Sequence, residues 1–463
     1  MSENNVPLLS TALATFISNH GYDEFPEAMR RWTKLMVLDA VGNAYASTRF
    51  EFARKALNAL SRLGLGDSTV IGMPERLALR DAVLMNGTLM HGLDYDDTSL
   101  PGGVHLSGSC VSTAFALCEP EHSCGKDFLP ACALGFEAGV RLGAASKSSF
   151  LKLGFHPTSL IGTFAGTLVA GRLWKLSHAQ LVMAQGIALS FASGNMQPTQ
   201  EGAWSKRLHA GWGGAAGVTA ASMASQGFTG PLEAYEGRFG LFPSFLGPHA
   251  ADADLSLATH ELGERWEFSR SSIKLYPVCY HSHAFMRAAT EMRNETRLDT
   301  TQIASIKALV APVAVPMICE PLETRRKPHN SYATQFSLPY ALACCLIRGR
   351  FGLEEIEESA YTDPQLLALA QKVCYEIDSN TGWPKFRTGE IIVRMKNGEE
   401  IRRRKSLYPD EPPADKDIID KFMDNTRLSM SSTQAESTID LILNIERVPD
   451  MSAVTRILSG QSR

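Results

Sequence analysis

Apolar residues recur at three- and four-residue steps near the start of the chain, at Leu9, Leu13 and Phe16 and then at Trp32, Leu35, Leu38 and Val41. This spacing lines one face of a helix, so residues 8–46 predict helical structure. The same step returns between Leu77 and Leu93. Residues 108–227 are rich in Ala, Gly and Ser, with apolar stripes and little β-branched alternation. Gly162, Gly166 and Gly171 predict helices packed at close range. Ser177 is an N-cap signal for a helix ending near Gly194.

The texture then changes. Residues 268–276, 303–311 and 390–395 read as strands, and Lys396-Asn397-Gly398-Glu399 as a hairpin turn between 391–395 and 401–404. Helices are expected at 332–348 and 362–374. After a Pro-rich linker at 408–413, helical periodicity resumes at Ile418, Phe422, Ile439, Leu441 and Ile442. The predicted fold is mainly α. A large all-helical domain comprises residues 1–266 and 411–463. A smaller α+β lid domain, 267–410, is inserted before the C-terminal helices, which should pack back on the first domain.

Composition narrows the function classes. With 463 residues, 44% hydrophobic and 20% charged, the chain reads as an ordinary globular protein of two domains. Its 45 basic and 49 acidic residues show no basic run, which argues against a nucleic-acid surface. An anionic ligand must therefore be held by local cations. Residues 1–7 are polar and do not read as a signal peptide. No apolar run reaches membrane-span length; the nearest, 181–191, is short and carries Gln185. Nine cysteines without a CxxC pair read as buried thiols in a reducing, cytosolic setting. On that reading the Asn86 and Asn294 sequons are chance matches.

Four polar clusters carry the candidate chemistry. The first is His91-Gly-Leu-Asp94-Tyr-Asp96-Asp97-Thr98, followed by Gly102-Gly103-Val104-His105. It is either a solvated acidic turn or a site whose crowded carboxylates shift one another's pKa. The second is Gly154-Phe155-His156-Pro157-Thr158-Ser159. Pro157 suits a first helical turn, and a helix N-terminus beside an imidazole favours an anion; a surface histidine is the bland alternative. The third runs Trp204-Ser-Lys206-Arg207-Leu-His209, before a glycine-rich helix start. The fourth, Ser272-Ile-Lys274-Leu-Tyr276-Pro-Val-Cys279-Tyr280-His281-Ser-His283, sets a lysine at a strand end. Either of the last two could be purely structural.

Sharper-looking signals fail. Gly211-x-Gly213-x-x-Ala216 has no preceding strand, so it is no dinucleotide fingerprint. His281-x-His283 lacks the further ligands of a metal shell. The Asp94-x-Asp96-Asp97 run looks like a terpene-cyclase motif, but aromatics are only 8% and a carbocation cavity needs more. A non-catalytic helical binding module would leave four His/Lys/Asp clusters unexplained.

Taken together, HGLDYDDT at 91–98, His105, GFHPTS at 154–159, SKRLHAGW at 205–212, GFTGP at 227–231, YEGRFG at 235–240 and KLYPVCYHSH at 274–283 resemble the MmgE/PrpD family. The likeness spans about residues 8–455. It is nearer the family's cis-aconitate decarboxylases and iminodisuccinate epimerases than its 2-methylcitrate dehydratases. The resemblance implies a homodimer without a cofactor, acting on a small di- or tricarboxylate. The expected reaction is a lyase step, decarboxylation or dehydration, with epimerisation as the alternative. It also implies catalytic roles for Asp94, Thr98, His105, His156, Lys206 and Lys274. Arg207, His91, His209, Tyr280 and His281 are the expected substrate contacts. One departure is the loop after Thr98, which lacks a His-Pro pair and looks one residue longer than in the decarboxylases.

Overall fold

The computed structural model describes residues 7–296, 298–383 and 385–460. The polar opening read against a signal peptide lies, except for Pro7, outside them. The fold is mainly α, with small sheets. The chain divides into two units. One holds the chain as far as Pro198, then Ser205–Ile273 and everything from Pro413; the other holds Thr199–Trp204 and Lys274–Pro412.

In the first unit the opening periodicity becomes two helices, Leu9–Asn19 and Glu27–Ser47, and the next becomes Leu79–His91. The heart of the unit is Pro157–Leu173 packed on His209–Ser225. Small residues make that approach possible, since a Cβ on Gly217 would lie 2.4 Å from Thr167 N. Ser177 caps His178–Leu189 through a reciprocal box with Gln180, but the helix stops at Leu189 and not near Gly194.

Two expectations for this unit need correction. It is not all-helical: Leu65–Thr69 pairs with Arg76–Leu77, and Asp97–Ser99 pairs antiparallel with Ser271–Ile273. Of the strand expected at 268–276 only those three residues form, because Glu267–Arg270 is a 3₁₀ turn. Secondly, one helix among the described residues, Gly125–Ala145, is long and apolar enough to cross a membrane by length and composition. Its apolar window is 94% buried inside the protein. Glu137 accepts from the Glu267 and Phe268 amides and pairs with Arg141, whose other donors take the His260 and Arg265 carbonyls. Such an arrangement belongs to a protein core.

Beneath the 91–98 loop lies a buried polar network. Lys421, on Asp415–Thr426, pairs with Asp39 and donates to the Tyr95 carbonyl, with its ammonium 3.7 Å from the Tyr95 ring. Asn43 donates to Asp39 (3.0 Å) and to the Tyr95 carbonyl (3.3 Å), and Asn425 donates to Asn43. Burial pushes the Asp39 carboxyl up to about 6 against the pull of Lys421. Lys421→Met should leave that carboxylate buried without its counter-charge and cost about 3–5 kcal/mol at pH 8. The loss should shrink below pH 6, where Asp39 takes a proton; urea melts at the two pH values measure it.

The second unit is built on a four-stranded sheet in the order Val373–Ile377, Ile303–Val310, Arg387–Met395, Glu400–Leu407, with only the first pair parallel. The expected hairpin is present, with Gly398 at φ +91° and Asn397 accepting from the Glu399 amide. The helix expected at 362–374 ends at Ala370, and Val373–Ile377 is a strand. The helix expected at 332–348 breaks into Ser331–Thr334 and Leu338–Arg348, where Ser337 caps the second piece and Pro339 sits in its first turn.

Candidate functional site

The helix Leu79–His91 ends in a turn in which Asp94 adopts a left-handed conformation (φ +50°), and its amide bonds back to the His91 carbonyl (3.0 Å). A non-glycine residue there is strained, and strain of this kind gathers at functional loops. The turn folds Asp94, Asp96 and Asp97 inward, each under 5% exposed, which rules out the solvated acidic turn. His156 is likewise buried at 3% and is no surface histidine. It caps Pro157–Leu173, with its amide bonded to the Gly194 carbonyl (3.1 Å).

Asp97 fixes the next element. Its carboxylate accepts from the Leu106 and Ser107 amides (3.0 and 2.9 Å), the first free donors of helix Ser107–Cys118. Burial, with Asp96 adding to it, pushes the Asp97 carboxyl up to about 7. A raised acid of this kind contributes stability that is complete below about pH 4, the ordinary aspartate value, and lost as pH rises through 7. Wild-type melting temperature should carry that slope, and in Asp97→Asn the slope between pH 5 and 8 should flatten. An unchanged slope would place the titration elsewhere.

Around this turn four imidazoles converge. Ring centroids of His91 lie 5.4 Å from His105 and 5.7 Å from His156, and His156 lies 4.9 Å from His209. Each neighbour dictates where hydrogens sit. His105 Nδ1 is 2.6 Å from the Asp97 carbonyl, which can only accept, so Nδ1 carries the hydrogen and Nε2 presents a lone pair. The His105 amide donates to Thr158 Oγ1 (3.2 Å), and Asp96 Oδ1 stands 3.9 Å from the ring. His91 Nδ1 lies 2.6 Å from Asp96 Oδ2, leaving its Nε2 to face Lys206 Nζ at 3.4 Å. The same ammonium is 3.5 Å from Asp94 Oδ1. His156 and His209 meet Nδ1 to Nδ1 at 2.8 Å, so one donates and the other accepts.

Electrostatics separates these rings. Burial, then Lys206, holds His156 well below the ordinary imidazole range. Burial, with His91 and Lys206 adding to it, pushes His209 down to about 3. Burial also lowers His91, although Asp96 opposes it. All three are neutral at pH 7. His105 differs in access: its side chain is 16% exposed, against 1% for His91.

Of the sequence-derived candidates, Asp94, His91, His105, His156, Lys206 and His209 thus form one cluster in the first unit. Thr98 sits in the short strand Asp97–Ser99, paired with Ser272. Arg207 is buried with its guanidinium 4.4 Å over the Phe52 ring. Lys274 directly follows Ser271–Ile273, opens the second unit and is 1% exposed. Tyr280 and His281 lie in a 3₁₀ turn of the second unit. The Asp39–Lys421 network was missed. Its only signals were Asp39 and Asn43 one helical turn apart inside an apolar helix, and a lysine between Ile418 and Phe422. Among the described residues no group of three or more His, Cys, Asp or Glu is arranged to hold a metal ion.

The chain is 26% identical to the human (Homo sapiens) cis-aconitate decarboxylase, over 98% of this chain and 95% of that protein. It is 25% identical to the cis-aconitate decarboxylase of Aspergillus terreus, over 97% and 96% respectively. The model of the MmgE/PrpD N-terminal domain matches residues 11–254, and that of the MmgE/PrpD C-terminal domain matches residues 276–447. With both domains present in order, the chain belongs to the MmgE/PrpD family.

Proposed function

We propose that this protein is a lyase that decarboxylates a small cis-aconitate-like tricarboxylate by acid/base catalysis, without a cofactor. The observation that carries this reading is the His105 ring, locked by the Asp97 carbonyl so that Nε2 is the atom offered to a ligand, next to the His91 ring whose Nε2 faces the Lys206 ammonium. End-to-end similarity to cis-aconitate decarboxylases supports the substrate class.

The reaction balances with these groups alone. The bond between a carbon and its carboxylate breaks and CO2 leaves. The electron pair stays on the substrate, spread into the neighbouring unsaturated carboxylate as an enolate. Lys206 lies within reach of that developing charge and stabilises it. A proton then returns to carbon from His105 Nε2 in its protonated form, with Asp96 Oδ1 3.9 Å from the ring. His156 and His209, held neutral, orient the substrate by hydrogen bonding and do not compete for the proton. Asp94 holds Lys206 in place. The acting unit is expected to be a homodimer.

The test is an NMR time course of the protein with cis-aconitate, 2-methylcitrate and iminodisuccinate, each with EDTA present. Loss of CO2 from cis-aconitate supports the reading. Turnover of 2-methylcitrate alone makes the protein a dehydratase, and of iminodisuccinate alone an epimerase. Activity abolished by EDTA and restored by one metal ion would overturn the cofactor-free mechanism.

A further inference from the structure

The second unit contains a guanidinium that nothing among the described residues neutralises. Arg387 opens the strand Arg387–Met395 and lies between two aromatic faces, 4.9 Å from the Trp383 ring and 5.2 Å from that of Tyr280. The residue is partly exposed, yet its Nε and Nη1 are closed off from solvent and have no hydrogen-bond partner. Aromatic stacking satisfies the π face of a guanidinium but none of its in-plane N–H groups. Burial is the main influence on this group, and the side chains that act on it are Tyr280 and Cys279. Burial lowers its pKa to about 10, so it stays cationic. No carboxylate contributes. A buried cation without a counter-ion is costly, and unsatisfied donors add to that cost.

These donors border a small pocket of about 10 Å³ that opens to solvent, lined by Arg387, Trp383, His281, Phe386 and Thr388 among others. Its chemistry is selective. His281, 5.5 Å from Trp383, is pushed down to about 3 by burial and by Arg387, so it is a neutral partner and not a second cation. The Thr388 hydroxyl is occupied, donating to the Thr381 carbonyl (2.5 Å). What the pocket lacks is an in-plane acceptor carrying negative charge. A carboxylate matches that description, since its two oxygens meet guanidinium donors in one plane.

We propose that this cavity of the second unit is a binding subsite for the carboxylate of a small organic acid, with Arg387 as its anchor and Trp383 and Tyr280 as its walls. The site stands whichever reaction the first unit performs, because its test reads binding and not turnover. The chain has six tryptophans, so the protein is labelled with 5-fluorotryptophan and the Trp383 resonance is identified by its absence in Trp383→Phe. Tricarballylate should move that resonance in a saturable way. Arg387→Lys, which keeps the charge but loses the planar donors, should weaken the response at least about tenfold. Arg387→Met should abolish it; should that variant fold poorly, the lysine variant decides. Movement with inorganic phosphate as well would support an oxyanion subsite that accepts carboxylates. A response to phosphate alone overturns the carboxylate assignment. No response to either anion, or one that persists in a folded Arg387→Met protein, overturns the subsite.

Discussion

His105→Ala should lower kcat/KM for cis-aconitate by about 10²–10⁴-fold, the range that a single positioned acid or base contributes. The fold should survive, because the ring is partly exposed and its backbone amide still reaches Thr158. The pH profile makes the prediction specific. The proton returned to carbon requires the protonated ring, so activity should fall as pH rises, over the window of about 5.5–8 in which histidines titrate. Burial holds His156 well below the ordinary imidazole range and pushes His209 down to about 3, and it lowers His91 as well. Asp97, pushed up to about 7, titrates in the same window and may not be ignored. A limb that survives Asp97→Asn but disappears in His105→Ala belongs to His105. If the limb disappears in His156→Ala instead, the two rings exchange roles.

Lys206→Ala should cut kcat/KM by at least about 10²-fold, a loss of a few kcal/mol in transition-state binding. The ammonium faces His91 Nε2 and suppresses protonation of its neighbours. Its removal should therefore also raise the His209 titration from about 3, which ¹H–¹⁵N spectra of the ring can follow. Lost activity with an unmoved His209 would mean the lysine acts at a distance from the cluster. Near-normal kinetics would remove Lys206 from the site.

Much of this was legible in the sequence because it depends on local signals. Apolar spacing gave the opening helices, Ser177 gave its cap, Pro157 its first turn, and Asn397-Gly398 the hairpin. The clustering of His91, Asp94, Asp96 and Asp97 was visible because the residues are adjacent. What could not be read was long-range pairing. The pairing of Asp97–Ser99 with Ser271–Ile273 joins segments far apart in sequence, and the edge strand Val373–Ile377 was absorbed into the helix before it. Lys421 is invisible for the same reason: its role depends on Asp39 and the Tyr95 carbonyl, both from the other end of the chain. Gly125–Ala145 passed unnoticed as a long apolar helix because Asp127, Glu137 and Arg141 break up the apolar run. The choice of His105 as the proposed proton carrier also needed coordinates, since hydrogen-bond partners, not residue type, set it apart.

The most direct test of the account is a single reaction run in D2O with cis-aconitate and EDTA, followed by ¹³C and ¹H NMR. The account predicts one CO2 released for each five-carbon dicarboxylate formed, and one solvent deuterium delivered to carbon in each product molecule. Absence of CO2 from this substrate at enzyme concentrations approaching the substrate's, or product formed without deuterium, would contradict it.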